Sequence, residues 1–558
     1  MKQDQDAHDV YLFFDPRFLA NEYFYSSTSG TNRGWICPGY HRPLRWSLKY
    51  ERNPNPTSNS RVHDFHEGYS PKSIAPTQPL SPTNLSSATM QRNSEHVLRN
   101  SQQGNSLLLR QAVFHDSALF LDSYLDVFSR ILSIYDGTFS PFRPAALSSW
   151  RRSSLLFSTL KFLASVYQSS LTTVGRLRLA AHEAQLDMLQ QLSFNLSNVH
   201  TSLQTSKDEL LLVVVMFGLS SSWYDLDDLG LEHYNAAVAL LEEAHFDKSR
   251  VHTRNYQFFR ESLIYWWMML SFAADPSSQT IRGPPCLERR DVDSLYVPHP
   301  LTGVSPESQL LLGRVGFLVF SHSREFAQRH LRHDDKLMLS RSNTARARDL
   351  ETRLLSLELP AREMIVDPGD SHTPINDLIN IAEAYRMCGL LMLYRVFPDL
   401  LDVRLRSADS DDSSDLFAER ERTRQQWLNS LALCILEQLE ENSETSGTRT
   451  IEAILLLIVS GELSVSGQPL GATGYFRDLD STKGSIYHQS LQRWSSKAQK
   501  DARAVVLARF ERIQAILPFQ TIDRMKSIVF KAWESMDNGS NLFWVDIMIK
   551  NKWQFLML

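Results

Sequence analysis

The stretch LINIAEAYRMCGLLMLYRVFPDLL, Leu378–Leu401, decides the fold. Thr373 is placed to cap a helix, and Pro374 suits the first helical position, where no amide donor is needed. Pro398 disfavours helix in Phe397, so the element is expected to stop there. Leu378, Ile381, Ala382, Tyr385, Cys388, Gly389 and Met392 recur at intervals of three and four, one stripe of a helical period. From Gly389 to Tyr394 the helix is apolar nearly all round, which fits a helix sunk in a large core rather than laid on its surface. Glu383, Arg386 and Arg395 inside it make a poor membrane span. Core packing explains these residues better than ligand binding does.

Within this stretch YRMCGLLMLYRVFPDLL, Tyr385–Leu401, strongly resembles a segment of the fungal-specific transcription factor domain. That is the large helical regulatory half of many fungal zinc-cluster (Zn2Cys6) regulators. The nearest subgroup is the one that includes acriflavine sensitivity control protein. The resemblance implies an all-α regulatory domain.

Outward from the central stretch, helical patterns dominate. On the amino-terminal side they cover Leu119–Leu132, Leu155–Tyr167 and an amphipathic Arg176–Leu192. Ser206 with Glu209 forms a capping pattern ahead of the apolar run Leu210–Leu219. Gly230–Ala244, the aromatic-rich Phe258–Ala273 and Ala345–Leu357 follow, and the aromatic run reads as core. On the carboxyl-terminal side Gln425–Leu439, Ile451–Val459 and Ala502–Ala515 are expected helices. Arg404–Arg424, with SADSDDSSD and ERERTR, reads as a charged, solvated loop. Alternating strand signals and fixed-period repeats are absent from the sequence. Three further segments resemble the same family: Ser222-Trp223 followed by His233, the loop HPLTG at His299–Gly303 leading into a helix, and the tail carrying Trp533, Asp537, Trp544, Met548 and Trp553.

The chain has 558 residues, enough for one large core or two. A formal net charge of -5 gives no global attraction to nucleic acid, so any DNA contact must come from a local basic segment. The four cysteines, Cys37, Cys286, Cys388 and Cys434, lie far apart and form neither a disulfide framework nor a metal motif. No secretory signal is evident, and the longest apolar runs are too short to span a bilayer. A cytosolic or nuclear protein is expected.

One local basic segment exists. RGWICPGYHRPLRWSLKYER, Arg33–Arg52, carries Cys37-Pro38-Gly39-Tyr40 followed by Leu44, Trp46 and Lys49. This order resembles the end of a fungal zinc cluster, where the sixth zinc cysteine precedes Pro-Gly-Tyr. Arg42, Arg45, Lys49 and Arg52 are candidate DNA-backbone contacts beside Trp46 and Tyr50. The family's cluster needs six thiolates to hold two zinc ions, and Cys37 is the one such residue in this part of the sequence. As written, the chain cannot form the cluster, and zinc is expected only if cysteines precede it. A mispredicted or alternative start accounts for residues 1–36; genuine loss of the cluster is the other explanation. The expected organisation is a poorly ordered tail at 1–36, a zinc-cluster remnant with its basic segment at 37–52, and a flexible Asn/Pro/Ser/Thr-rich linker at 53–106. The regulatory domain occupies 107–558.

A second set of residues bears on an enzymatic alternative, a helical metal-dependent enzyme. Asp225, Asp227, Asp228 and Glu232, with Asn376, Asp377, Asn380 and Glu383, distantly resemble the two metal-binding motifs of class I terpene cyclases. Leu226 and the run Leu229–Leu231 interrupt the first motif, where magnesium needs oxygen ligands on one helix face. Glu383 falls one residue short in the second, about 100° off the required face. Helix-end acids and caps explain these residues better. His330, His333, Asp334 and Asp335 sit among arginines and read as solvated surface, and Cys388 as an inert buried thiol. Phosphate loops, dinucleotide fingerprints and Gly-x-Ser-x-Gly elbows are missing. The resemblance implies a nuclear, non-enzymatic regulator that binds DNA, dimerises or recruits the transcription machinery.

Overall fold

The computed structural model describes residues 127, 129–143, 152–171, 175–197, 207–245, 253–274, 281–285, 295–327, 333–405, 416–464, 499–540 and 542–557. All of them fall within one compact unit that includes His115–Leu558. Among the described residues the regular structure is helical. Extended pairing is confined to isolated bridges, Tyr296 with Ile365 and His299 with Gly303.

The first half of the unit is built from α1 (Ser154–Ser170), α2 (Gly175–Ser197), α3 (Lys207–Leu219), α4 (Leu231–His245) and α5 (Arg254–Leu270). Side-chain caps start two of them. Ser153 accepts from the Leu156 amide at 3.0 Å and Thr253 from the Tyr256 amide at 3.3 Å, each satisfying a donor the first turn leaves open. Every residue of α3 from Leu210 to Leu219 is buried, as its unbroken apolar run requires, because α1, α4 and α5 surround it. Gly218 is the point of closest approach. A Cβ there would meet the Trp266 ring at 2.0 Å.

The second half comprises α6 (Pro306–Ala327), α7 (His333–Leu355), α8 (Ile375–Val396), α9 (Pro398–Leu405), α10 (Leu416–Glu441), α11 (Ala453–Ser460), α12 (Gln499–Ile516), α13 (Gln520–Asp537) and α14 (Trp544–Asn551). α8 is the hub. It packs against α6, α7, α9, α10 and α11, and α6 joins it to α5 in the first half. Residues Gly389–Tyr394 are all buried, as their composition requires. The HPLTG turn leads into α6, closed by paired amide bonds between His299 and Gly303 at 2.8 and 2.9 Å, with Gly303 at φ +63°, where a side chain would be strained.

The structure corrects several local expectations. Thr373 does not cap α8. Pro374 holds the cap position, and the Thr373 hydroxyl instead accepts from the Gly447 amide at 3.0 Å and donates to Asp370 at 3.2 Å. A tertiary partner outbids the local cap. α8 does end at Val396, with Phe397 in a non-helical cap, but Pro398 then opens α9. The charged stretch Arg404–Arg424 is not all loop. α9 includes Arg404, and α10 begins at Leu416, its first turns held by Arg424 against Asp402 at 2.6 Å. α7 starts at His333, well ahead of Ala345, because its polar amino-terminal half carries little apolar periodicity to announce it. Leu119–Leu125 and Ser206 lie outside the described residues.

Candidate functional site

The sequence-derived contacts Cys37, Arg42, Arg45, Lys49 and Arg52 lie outside the described residues, as do Cys286, His330 and the side chains of His333, Asp334 and Asp335. What the structure displays is the interior around α8, and its distinctive feature is buried charge.

Glu383 and Arg386 are each 3% exposed and form a two-point ion pair, Arg386 Nε to Oε2 at 2.8 Å and Nη2 to Oε1 at 2.5 Å. A third guanidinium donor reaches the Leu354 carbonyl at 3.1 Å, so the cation also sits at the carboxyl end of α7, where the helix dipole favours it. Arg509 of α12 and Glu452, just before α11, form a second buried pair, with one bond at 2.8 Å. Arg395 approaches Glu462 at 3.5 Å. Burial pushes the Glu462 carboxyl above its usual range, while Arg395 and Gln425 draw it back. Asp377 is likewise raised by burial, opposed by bonds from Ser446 and Ser443, whose amide stands 3.2 Å away, and by Arg509. The Tyr385 hydroxyl donates to the Ile451 carbonyl at 2.7 Å. These contacts tie α8 to α7, to the 443–452 connection and to Glu462 after α11, and tie α12 to Glu452. Opposite charges three apart inside an apolar run are a readable sign of the Glu383–Arg386 pair. Arg509 and Glu452 are too distant in sequence to leave one.

Of the carboxylates that resemble a magnesium motif, Asp225, Asp228, Asp377 and Glu383 serve as turn acceptors or ion partners. Asp225 accepts from the Asp227 amide at 3.1 Å, and Asp228 accepts from the Gly230 amide at 2.8 Å and from the Tyr224 hydroxyl at 3.2 Å. In the second set, Asn376 accepts from Arg362, Asn380 donates to Asn442, and Glu383 holds Arg386. Among the described residues no three His, Cys, Asp or Glu side chains converge on a metal position. Cys388 and Cys434 are free and buried, and burial raises both thiols, so they are held as unreactive packing groups.

In the segments that resemble the family beside the central stretch, His233, Trp223 and Trp533 are buried, Trp553 packs against the core and Asp537 is exposed. His233 is buried against Phe217, ring centroids 4.7 Å apart, and burial depresses its imidazole against the opposing pull of Asp228. Trp223 stacks on Phe519 at 4.4 Å. Trp533 donates to the Ser460 carbonyl at 3.0 Å, and Asp537 takes both prongs of Arg503 at 2.8 and 2.9 Å. Trp553 lies under Lys531, whose Nζ is 4.2 Å from the ring centre.

Among the described residues such an interior holds helices in fixed relation through buried ion pairs. The class it defines is an all-helical domain. The chain belongs to the fungal specific transcription factor domain family, which matches residues 119–478 and 489–558. Every described residue lies inside those matched segments. The protein is thus in the class of fungal transcription regulators, a non-catalytic family. No curated protein and no solved structure matches the chain. No described helix is long and apolar enough to cross a membrane.

Proposed function

We propose that this chain is a nuclear regulator of the zinc-cluster type, close to the acriflavine sensitivity control subgroup, acting mainly through its helical body. The observation that carries the reading is the family match across the whole described unit. The Cys37-Pro38-Gly39-Tyr40 motif and the following basic residues support the finer assignment. In this reading Cys37 is the last of six zinc thiolates, zinc is bound only with five cysteines ahead of it, and Arg42, Arg45, Lys49 and Arg52 contact DNA phosphates. Residues 53–106 tether that segment to the body at 107–558, which dimerises or recruits the transcription machinery.

The test is a reporter assay with residues 107–558 fused behind a foreign DNA-binding domain. A change in reporter output of either sign, activation or repression below the bare DNA-binding domain, supports the reading. Output indistinguishable from the bare domain overturns it. Reading the native transcript upstream of the Cys37 codon tests the zinc assignment separately. Five in-frame cysteines at cluster spacing support it; a transcript without them leaves a body that acts through partner proteins.

A further inference from the structure

Among the described residues α7 buries one face and packs nothing on the other. Asn343, Ala347, Leu350 and Leu354 point inward, towards α6 and α8. On the outer face Met338, Arg341, Ala345, Arg348 and Thr352 recur at alternating intervals of three and four, and all are exposed, Met338 at 68%. This is the spacing of a two-helix seam, and it runs about 21 Å along the axis. Arg346 and Arg353 form a second row, again seven residues apart.

None of these four arginines forms an ion pair among the described residues. Acids three or four positions away are the local partners a helix can offer an arginine. Arg341 has Thr344 and Ala345 at those positions. Arg348 has Glu351, but that carboxylate is committed to Arg404 at 2.7 Å and to the Tyr394 hydroxyl at 2.8 Å. The fold therefore draws Glu351 away from the seam and leaves Arg341 and Arg348 open, while Arg346 and Arg353 have Asp349 within three or four positions. Asp349 is the single exposed acid among them.

We propose that this face of α7 is a docking surface for an acidic, amphipathic helix of a partner protein, whose carboxylates, seven residues apart, meet Arg341 and Arg348 while a small or apolar seam packs on Met338 and Ala345. Charge complementarity selects this occupant. A second copy of α7 would set arginine against arginine. A nucleic-acid backbone would gain nothing from exposed Met338. Ala345 at the middle of the seam lets a second helix approach closely.

The experiment uses the full chain and three fluorescein-labelled probes followed by anisotropy. One is a 21-residue helical peptide with Leu and Ala on its seam and Glu at the flanking positions. The second replaces each Glu by Lys, and the third is a random-sequence DNA duplex. The wild-type chain is expected to bind the Glu peptide about tenfold more tightly than the Lys peptide. The double variant Arg341→Glu/Arg348→Glu, with an unchanged melting transition because both sites are exposed, is expected to reverse that order. Equal binding of the two peptides, or a Glu preference that survives in the variant, overturns the proposal. So does a duplex that binds more tightly than the Glu peptide and loses its binding in the variant, which would give the surface to nucleic acid.

Discussion

α8 and α2 are nearly equal in length, 22 and 23 residues, but live in different surroundings. α8 is covered on all sides, and nearly everything from Asp377 to Tyr394 is buried. α2 rests chiefly on α1 and buries little beyond Ala181, Ala184, Gln185, Met188, Leu192 and Asn195. Its Leu179, Leu186 and Phe194 face outward, 58%, 44% and 67% exposed. A helix covered all round must provide a partner for each charge it takes inside, and for α8 those partners sit on α8 itself, at the end of α7, at Ser443 and at Glu462. A helix covered on one side has no such obligation. Damage to α8 should spread, and damage to α2 should stay local.

The largest test of this contrast is Glu383→Ala. It strands the Arg386 guanidinium, and urea denaturation is expected to show a loss of about 3–5 kcal/mol. The double variant Glu383→Leu/Arg386→Met, which removes both charges and keeps the volume, should recover most of it. A single-variant loss near that of a surface substitution would break the contrast outright. Gly389→Ala comes next. Its Cβ would press on a Leu354 methyl at 3.0 Å, and a loss of about 1–3 kcal/mol is expected from the same titration.

pH adds a third measure of how the interior treats charge. His233 is depressed by burial, so the unfolded chain binds its proton more readily than the native one. The associated stability is complete above the unfolded imidazole value of about 6.5 and is lost as pH falls below it. His233→Gln should reduce the slope of stability against pH between about 6.5 and 5, by no more than about 1.4 kcal/mol per pH unit. An unchanged slope would show that His233 takes up its proton equally in the folded and unfolded states.

Smaller effects sharpen the picture. Among the described residues, both side-chain polar atoms of buried Asn429 on α10 lack a hydrogen-bond partner. Asn429→Leu should therefore raise the unfolding free energy by about 1 kcal/mol, as read by thermal melting, and a loss instead would mean that the amide is satisfied in solution. At the quiet end lies Gly175→Ala in α2. A Cβ there meets nothing within 4 Å, and the change should stay within about 0.5 kcal/mol of wild type. The same substitution, glycine to alanine, thus separates the two helices.

Much of the fold was legible because periodicity and apolar runs report burial directly. α3, α5 and α8 were expected close to their observed spans for that reason. What failed to show depends on partners distant in sequence. Thr373 has every local qualification for a cap but bonds Gly447 instead. The start of α10 hides in a charged run, because its anchoring contact from Arg424 to Asp402 crosses from one helix to another. The amino-terminal half of α7 lacks an apolar stripe altogether. Of the candidate site, the Glu383–Arg386 pair was half legible. Both residues were noticed as charges inside an apolar helix, while their bond and the third contact to Leu354 needed the fold.

The carboxyl-terminal tail has a practical consequence. Phe555, Leu556 and Met557 are at most 1% exposed, and the Leu556 carbonyl accepts from the Ser222 hydroxyl at 3.1 Å. Three consecutive side chains with no surface of their own act as a plug rather than a tail. A charge placed at Leu556 would have to enter that seal, and would pull on the segment that holds Ser222 and Trp223.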